Sequence, residues 1–335
     1  MHSLKSKKIL LISPIFFGYE KNITRELESR GAIVVWVADR PFKSIFLRAL
    51  TTYIPWLTSF LSDRIYSKFL GSCTYDFDIV FVVNGQTLSP RILKNLKSQY
   101  SSAKFYLYLW DSFSNRSNSI SKLKFFDYVS TFDPNDAKEH DLDFRPLFFS
   151  YENKKNEVDR MEFDWSFIGT NHSDRHSIIN RMISLSNKKR NSYVYLYIPA
   201  KWVFWFIKIF NKNYRNASAN EFKFIPLSKA HVNELFSKSK AILDIEHPKQ
   251  YGLTMRTFEV IGAHKKLITT NKNIKNYDFY NSKNICIVDR ESPMVPDDFF
   301  DSNCEDLSEE LYYKYSISGW LDDVLSLKEN IKDSA

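Results

Sequence analysis

The chain of 335 residues is 44% hydrophobic and 16% aromatic, so it can bury large cores and is neither collagen-like nor low-complexity. Its 47 Lys and Arg against 39 Asp and Glu give a net charge of +8, which favours an anionic partner, but no zinc-finger spacing or basic heptad points to nucleic acid. The three cysteines, Cys73, Cys286 and Cys304, lie too far apart for a CxxC pair and indicate a reducing, cytosolic compartment.

Short apolar runs alternate with amphipathic stretches over the first 150 residues. The runs predict buried strands at residues 9–12, 33–37, 79–83, 105–110 and 128–132. Helices are predicted at residues 21–30, with Gly31 as the cap, and from Pro90 to Leu96. Strands that alternate with helices predict a parallel α/β sheet.

A polar stretch at residues 151–160 precedes a second series of the same kind. Its predicted strands are residues 165–169, 193–198, 241–245, 267–269 and 285–288. The tail from residue 307 to residue 331 has a helical pattern that we expect to break near Gly319. The sequence therefore predicts an α/β protein with Rossmann-like domains at residues 1–155 and 156–306 and a helical tail at 307–335.

Glycine is scarce: it accounts for eight of the 335 residues, whereas roughly 7% of the residues of an average protein are glycine. Each glycine is therefore informative. Gly18, Gly85, Gly169 and Gly252 come at strand ends or at the following helix, where ligands bind in open parallel sheets. Gly262, like Gly31, is placed as a helix C-cap.

The richest segment runs from residue 244 to residue 259. A strand is followed by a polar loop and by a helix for which Thr254 is a good N-cap. Arg256 in the first turn opposes the helix dipole, at a cost of about 0.3–1 kcal/mol, unless an anion binds there. Glu259 shares its face and can accept hydrogen bonds from hydroxyl groups. An N-capped surface helix with an Arg–Glu pair is the alternative, and both remain open.

The same arrangement recurs after the strand at residues 165–169. Gly169 and Thr170 lead to a helix capped by Ser173 or Asp174, and Arg175 falls in its first turn. Two such arginines predict a pyrophosphate clamp, with an exposed arginine on an ordinary helix as the alternative. The GxxxxGK[ST] and GxGxxG motifs are absent, which argues against a P-loop and against binding of NAD or FAD. The acidic pairs at residues 76–78 and 141–143 do not follow buried strands, so no metal site is predicted.

Four other features are candidates with two open interpretations each. Asp111 directly follows a predicted strand and could act as a general base or cap the next helix, with Glu20 as a weaker candidate base. His247 could orient a phosphate or a hydroxyl, or be a surface residue. The basic aromatic segments 42–70 and 202–210 could lie in a membrane interface or be core helices. The longest uncharged run, residues 49–62, contains Pro55 and is too short to span a bilayer.

Residues 251–271, YGLTMRTFEVIGAHKKLITTN, closely resemble a segment of bacterial glycosyltransferases from capsule, O-antigen and lipopolysaccharide gene clusters. These enzymes are similar to the GT-B superfamily, in which two Rossmann-like domains face a cleft. The resemblance extends to residues 9–30, 79–85, 167–175 and 225–228, so it touches both halves of the chain. It implies a GT-B fold in which the C-terminal helix crosses back to the N-terminal domain.

The resemblance also implies roles for individual residues. The second domain would bind a nucleotide-sugar donor. Glu259 would bind the ribose of the donor, and the loop of Ile225 and Leu227 would bind its base. The residues that would bind its diphosphate are Gly169, Thr170, Arg175, Gly252, Leu253, Thr254 and Arg256. The first domain would bind the acceptor near Gly18, Tyr19, Asn84, Gly85 and Asp111. Such enzymes need no metal and no cofactor beyond the nucleotide-sugar, because positive groups and helix dipoles stabilise the leaving diphosphate.

One position departs from the family pattern. Retaining members often carry a second Glu eight residues before the ribose Glu, and here Tyr251 stands there, with Glu246 the nearest acid. Inverting transfer needs a base, for which Asp111 is the candidate. We therefore predict a cytoplasmic glycosyltransferase at the inner face of the membrane that acts on a lipid-linked saccharide acceptor and binds no nucleic acid. The alternatives are a GT-B-fold nucleotide-sugar epimerase and a non-catalytic peripheral membrane or saccharide-binding protein.

Overall fold

A computed structural model describes residues 3–40, 55–114, 117–150, 161–186, 190–211 and 214–327. The chain divides into two compact units. The first comprises Met1–Leu147 and Ile317–Ala335, and the second comprises Phe148–Ser316. The domain boundary that the sequence placed at residues 155–156 falls within residues 151–160, outside the described part of the chain.

The first unit is built on a six-stranded parallel sheet with the strand order β2-β1-β3-β4-β5-β6. Its strands are β1 (Lys8–Ser13), β2 (Ile33–Ala38), β3 (Ile79–Val83), β4 (Lys104–Leu109), β5 (Tyr128–Thr131) and β6 (Asp143–Phe144). The first five confirm the predicted strands. Every residue of β3 is buried, because a parallel sheet covered on both faces needs continuous apolar strands. The two-residue edge strand β6 has no apolar run and was not predicted.

Helices cover this sheet. They are α1 (Tyr19–Ser29), α2 (Pro55–Ser72), α3 (Pro90–Gln99) and α4 (Pro134–His140). Gly31 follows Arg30, the C-cap of α1, and has a φ of 91°, as predicted for a glycine that ends a helix in the left-handed region. Tyr66 and Leu70 of α2 belong to the core, so this part of the aromatic segment 42–70 is structural. Residues 42–54 and the side chains of residues 55–60 lie outside the described part.

The second unit is also built on six parallel strands, in the order β12-β11-β10-β7-β8-β9. These are β7 (Phe163–Thr170), β8 (Ser192–Tyr197), β9 (Phe222–Lys223), β10 (Ser239–Asp244), β11 (Lys266–Thr269) and β12 (Ile285–Ile287). All but β9 were predicted. The central strands β10 and β7 place two loops side by side at the carboxyl edge, because neighbouring parallel strands end at the same edge.

Six α-helices lie in the described part of this unit. They are α5 (Arg175–Leu185), α6 (Lys201–Phe210), α7 (Lys229–Ser237), α8 (Met255–Gly262), α9 (Asp297–Asp301) and α10 (Glu309–Tyr315). The predicted capping role of Gly262 is wrong: it is the last residue of α8, and a Cβ there would lie 2.5 Å from Cγ of Phe149. His264 takes the left-handed conformation instead, with a φ of 54°. Within the described residues, no helix combines the length and apolar character needed to cross a membrane.

The chain enters and leaves the second unit at adjacent points. The backbone amide of Phe149 donates to the carbonyl of Tyr315 at 3.0 Å, and Phe149 forms a parallel bridge with Ser316. Ser316 is extended and separates α10 from the last helix, α11 (Ile317–Val324). The helical tail therefore breaks at Ser316, whereas Gly319, the predicted break, lies buried inside α11.

Helix α11 belongs to the first unit and is held there by a buried ion pair. Nη1 of Arg30, at the end of α1, donates to Oδ1 of Asp322 at 2.6 Å, and Nη2 donates to the carbonyl of Ser318 at 2.8 Å. Trp320 is fully buried against the rings of Phe81 and Tyr108. This packing confirms the prediction that the C-terminal helix returns to the N-terminal domain.

Candidate functional site

Arg175 and Arg256 form a reciprocal brace at the carboxyl edge of the second sheet. Arg175, on the helix after β7, donates from Nε to the carbonyl of Ile245 at 2.8 Å, just beyond β10. Arg256, on the helix after β10, donates from Nη2 to the carbonyl of Ile168 at 3.1 Å, near the end of β7. Each arginine thus reaches across to the other strand, and two guanidinium groups lie at one sheet edge.

The surroundings of Arg175 explain the glycine before it. Nη1 also donates to the carbonyl of Thr170 at 2.8 Å, and the guanidinium lies 5.7 Å from the centroid of the Phe167 ring. A Cβ at Gly169 would lie 3.4 Å from Nη1 and 3.0 Å from the Phe167 ring, so a larger residue would press on both. Burial lowers the pKa of Arg175, and the neighbouring charge of Arg256 acts in the same direction while Asp244 opposes it. An anion here would relieve the repulsion between the two arginines.

Arg256 lies in the first turn of α8, as predicted. Thr254 is the N-cap, and its hydroxyl accepts from the amide of Thr257. Nη1 of Arg256 pairs with Oε2 of Glu259 at 2.9 Å, and its guanidinium lies 4.9 Å from the centroid of the Phe236 ring. Glu259 is therefore held on the same face one turn into the helix, where it can accept hydrogen bonds from hydroxyl groups.

Asp244 fixes the loop that leads to α8. Its Oδ2 accepts from the hydroxyl groups of Thr254 at 2.6 Å and of Thr257 at 2.8 Å. Gly252 and Leu253 are buried between these points, and the Gly252 carbonyl accepts from the side chain of Gln250 at 2.9 Å. The first-turn backbone amides of a helix point out of its N-terminus. The hydrogen bonds to Asp244 therefore fix the direction in which the amide donors of α8 point along the sheet edge.

Arg290, which follows β12, is part of the same edge and was not predicted. Its Nη1 donates to both carboxylate oxygens of Asp174, at 2.9 and 2.7 Å, and its Nη2 donates to Oε1 of Glu246 at 2.5 Å. Glu246 also accepts from the hydroxyl of Thr270 at 2.5 Å. Burial opposes the charge of Arg290, but the hydrogen bonds to Glu246 and Asp174 raise its pKa. Its place just past a predicted strand, at residues 285–288, was the available signal.

Two histidines lie close together in the loops after β7 and β10. The ring centroids of His172 and His247 are 6.0 Å apart, and Nδ1 of His247 accepts from the amide of Lys249 at 3.3 Å. Burial lowers the pKa of His172 to about 4, and the charges of Arg175 and His247 act in the same direction. His172 is therefore neutral near pH 7 and can hydrogen-bond a ligand as a neutral ring. Only His247 was predicted.

The loop after β9 carries the two residues expected near a nucleobase. The side chain of Ile225 is 76% exposed, and its carbonyl accepts from the hydroxyl of Tyr195 at 2.6 Å. Leu227 is half-buried, directly before Ser228, which caps α7. The loop therefore presents an exposed aliphatic side chain on a backbone that is held in place.

The first unit presents a second group of candidates at the carboxyl end of β1. Gly18 has a φ of 82° and stands at the N-cap of α1, and Tyr19 is buried. Glu20 is also buried, and its Oε2 accepts from the amide of Phe16 at 3.2 Å. That bond ties Glu20 to the loop before α1. The side chains of Ile15, Phe16 and Phe17 before it are exposed.

Asn84 and Asp111 are brought together beyond β3 and β4. Nδ2 of Asn84 donates to Oδ2 of Asp111 at 2.7 Å, and Oδ1 of Asn84 accepts from the amide of Trp110 at 3.3 Å. Asn84 and Gly85 both have positive φ, at 69° and 62°. The half-buried carboxylate of Asp111 is thus oriented by an amide, as a general base requires.

The loop after β3 is held from two sides. Asp39, fully buried after β2, accepts from the amides of Gln86 at 2.8 Å and Thr87 at 3.0 Å. Burial raises the pKa of Asp39, although these backbone bonds oppose the shift. Lys122 donates to the carbonyls of Gly85 at 2.8 Å and Gln86 at 3.0 Å. Asp39 and Lys122 were not predicted, because only the folded sheet brings them to this loop.

The ring of Phe16 joins the two groups of the first unit. Its centroid lies 5.8 Å from that of Trp110, which precedes Asp111, and 6.3 Å from that of Tyr19. Because β1, β3 and β4 are neighbours, the residues near Gly18 and those near Asn84 and Asp111 share one edge of the sheet.

The acidic pairs lie elsewhere. Asp78 precedes β3 and accepts from the amide of Lys8 at 2.8 Å, at the amino edge of the sheet. Asp141 ends α4 with a φ of 52°, and Asp143 begins β6. Across the described ranges, no three His, Cys, Asp or Glu side chains are grouped so that they could hold a metal ion.

Comparison with solved structures places this architecture. The lipopolysaccharide outer core galactosyltransferase WaaB, in its apo form, superposes with a TM-score of 0.53 at 11% identity, over 96% of this chain and 99% of that one. HepE of Anabaena in complex with UDP-glucose superposes with a TM-score of 0.55 at 10% identity, over 98% of both chains. The chain has the GT-B fold of glycosyltransferases. No family model matches this sequence, and no curated protein is similar to it in sequence. The predicted GT-B fold is confirmed.

Proposed function

We propose that the protein is a glycosyltransferase that moves a sugar from a nucleotide-sugar donor to an oligosaccharide acceptor. The observation that carries this proposal is the reciprocal brace of Arg175 and Arg256 on a GT-B fold. Two guanidinium groups and two helix N-termini meet at the edge where α/β sheets bind ligands. HepE of Anabaena, which shares the fold, is solved with UDP-glucose and with UDP.

Donor binding is assigned to the second unit. Arg175 and Arg256, with the backbone at Gly169, Thr170 and residues 252–254, would hold the diphosphate. Glu259 would accept hydrogen bonds from the ribose hydroxyls, with its carboxylate kept in place by Arg256. The remaining donor contacts are Ile225 and Leu227 against the base and His247 beside the diphosphate or the sugar.

Acceptor binding and the base are assigned to the first unit. The acceptor would lie near Gly18, Tyr19 and Asn84, and Asp111 would take the proton from the attacking hydroxyl. That oxygen then bonds to the anomeric carbon as the nucleoside diphosphate leaves, which gives inversion. The leaving charge is stabilised by Arg175, Arg256 and the helix N-termini, so we propose transfer without a metal. Glu20 positions the acceptor loop through Phe16.

The acceptor class and the location complete the proposal. We assign a lipid-linked saccharide at the inner face of the cytoplasmic membrane, in the synthesis of bacterial cell-surface polysaccharide. The support is the likeness to WaaB, whose name gives a lipopolysaccharide role, and the net charge of +8, which suits an anionic surface. The capsule and O-antigen pathways are alternatives within the same class.

The test is a thermal-shift series with nucleoside diphosphates and their sugars on the wild type and on Arg256→Ala and Glu259→Ala. We expect at least one diphosphate to raise the Tm of the wild type and Arg256→Ala to weaken its binding by about 10- to 100-fold. Arg91→Ala is the matched control, since Arg91 lies in the first turn of α3 and is exposed. A wild type with no shift for any diphosphate contradicts donor binding. A shift without transfer to any acceptor would favour a saccharide-binding protein.

A further inference from the structure

Helix α6 of the second unit carries a wide apolar face on its outer side. Five large side chains are each between 55% and 72% exposed: Trp202, Trp205, Phe206, Ile209 and Phe210. Their spacing of three and four residues places them on one side of the helix. The opposite side packs inward, with Phe204 fully buried and Val203 and Ile207 against the core. The segment 202–210 is therefore a core helix on one side and an apolar surface on the other.

The net positive charge of the protein is concentrated in the sequence around α6. Residues 175–220 contain nine Lys and Arg and no Asp or Glu. The rest of the chain then holds 38 Lys and Arg against 39 Asp and Glu, so the net charge of +8 arises in this stretch. Within it, Lys201 at the start of α6 and Arg215 after its end are exposed. Along this stretch of the sequence, the charged residues on both sides of α6 are thus all positive.

We infer that this face of α6 lies in the headgroup region of an anionic bilayer. Tryptophan and phenylalanine side chains insert at the boundary between headgroups and acyl chains, and lysine and arginine at the helix ends bind the lipid phosphates. A soluble protein partner of ordinary composition gives no reason for the absence of acidic residues over the whole stretch. The inference deepens the proposed function, because it assigns the membrane contact to the unit that holds the donor site.

The order of the elements supports this assignment. Helix α6 follows β8, a neighbour of β7. Thr170 is the last residue of β7, and Arg175 is the first residue of the helix that follows it. Lys208 does not border the apolar face as a free charge: its Nζ donates to the carbonyl of Ala217 at 2.8 Å and so ties the end of α6 to the following loop. The helix is therefore fixed to the unit, and binding need not order it.

The test is co-sedimentation of the full chain with vesicles of phosphatidylcholine, alone and mixed with phosphatidylglycerol. We expect binding to the mixed vesicles and at least a ~10-fold loss of partitioning in a variant with Trp205→Ser, Phe206→Ser and Ile209→Ser. Tyr75→Ser, Ile120→Ser and Met294→Ser form the matched control, because these side chains are exposed elsewhere and should leave binding unchanged. Equal partitioning of both triple variants would overturn the inference.

A charge variant separates lipid phosphate from apolar contact. Lys201→Gln with Arg215→Gln should weaken binding to the mixed vesicles alone, and Arg91→Gln with Lys94→Gln, two exposed residues of α3, should not. Lipids brominated on the acyl chain should quench tryptophan fluorescence of the wild type, and Trp202→Phe with Trp205→Phe should remove that quenching while binding remains. If the wild type is instead a dimer without vesicles, and the serine variant a monomer, the face joins two copies and the inference fails.

The thermal-shift test of nucleoside diphosphates on the same serine variant keeps the two proposals apart. Unchanged diphosphate binding with lost vesicle binding supports both proposals. If the serine variant loses vesicle binding and the wild type binds no diphosphate, the membrane contact is supported and the transferase proposal is contradicted. A wild type that binds diphosphate but no vesicle of either kind overturns the inference and leaves donor binding supported.

Discussion

Arg290 holds Asp174 through two hydrogen bonds from a single nitrogen, and Asp174 stands at the N-cap of the helix that begins with Arg175. The same guanidinium binds Glu246, in the loop after β10. Arg290 therefore joins the start of one helix to the loop that leads to the other. It also neutralises two carboxylates at an edge proposed to bind an anion.

We expect Arg290→Gln to loosen both loops. Glu246 is buried and would lose its cation, so we expect the free energy of unfolding to fall by about 1–3 kcal/mol. The KM for the donor should also rise in this variant, because Asp174 and Glu246 would then repel the diphosphate. Urea unfolding and donor titration measure the two effects. Lys283→Gln, which removes an exposed ion pair with Glu305, is the control and should change neither. Unaltered donor affinity would show that Arg290 acts on stability alone.

Asp111→Asn should abolish transfer while leaving donor binding intact. The amide keeps the hydrogen-bonding shape but cannot take a proton, so we expect a loss of about 10²- to 10⁴-fold in kcat. Asn84→Ala should cost less, because it removes only the group that orients the carboxylate. Rates with saturating donor and acceptor measure the effect. Asp143→Asn, at the amino edge of the same sheet, is the control. Full activity in Asp111→Asn would leave Glu20 as the remaining candidate.

The protein should lose stability on acidification through His172. Its folded pKa of about 4 lies below the usual 6.5, so at pH 5 the unfolded chain takes up a proton that the folded chain does not. Stability falls as pH drops from about 6.5 to about 4, by roughly 1–2 kcal/mol at pH 5, since the ring is partly solvated. His172→Gln should lose less free energy of unfolding between pH 7 and pH 5 than the wild type. His231→Gln, at a half-exposed histidine, should behave like the wild type. Equal losses in wild type and His172→Gln would disprove this.

Gly262→Ala and Gly71→Ala should shift stability in opposite directions. At Gly262 the new Cβ would lie 2.5 Å from Cγ of Phe149, so the ring must move, at a cost of about 1–3 kcal/mol. At Gly71, in α2, nothing lies within 4 Å, and alanine should stabilise the helix by up to about 1 kcal/mol. Thermal unfolding compares the two. A gain in Tm for Gly262→Ala would mean that Phe149 repacks without strain.

The strands were predictable because a parallel sheet covered on both faces needs continuous apolar runs, as in residues 79–83. The two-residue edge strands were not, because Asp143 and Phe144 or Phe222 and Lys223 carry no pattern of their own. The tail helix breaks at Ser316 rather than Gly319 because pairing with Phe149 draws the chain into an extended conformation. Phe149 and Ser316 lie at opposite ends of the second unit in the sequence, so no short sequence pattern predicts their pairing.

The candidate site shows the same division. The residues that begin a helix lie close together in the sequence. The positions of Thr254, Arg256 and Glu259 at the start of α8 could therefore be predicted from their spacing. The reach of Arg175 to the carbonyl of Ile245 is not local, and neither is the hold of Arg290 on Asp174. Those contacts depend on strand order, with β7 beside β10, which the alternation of strands and helices leaves undetermined.

The pairing of Phe149 with Tyr315 and Ser316 brings the two ends of the second unit together, which makes this unit easy to exchange in evolution. A unit whose two ends lie side by side can be replaced by another of the same kind without lengthening or rerouting the rest of the polypeptide. The first unit, meanwhile, depends on both chain ends, since Arg30 and Asp322 must meet to complete it. If the second unit binds the donor and the first binds the acceptor, as proposed, recombination within residues 148–316 exchanges donor specificity while acceptor recognition is inherited unchanged.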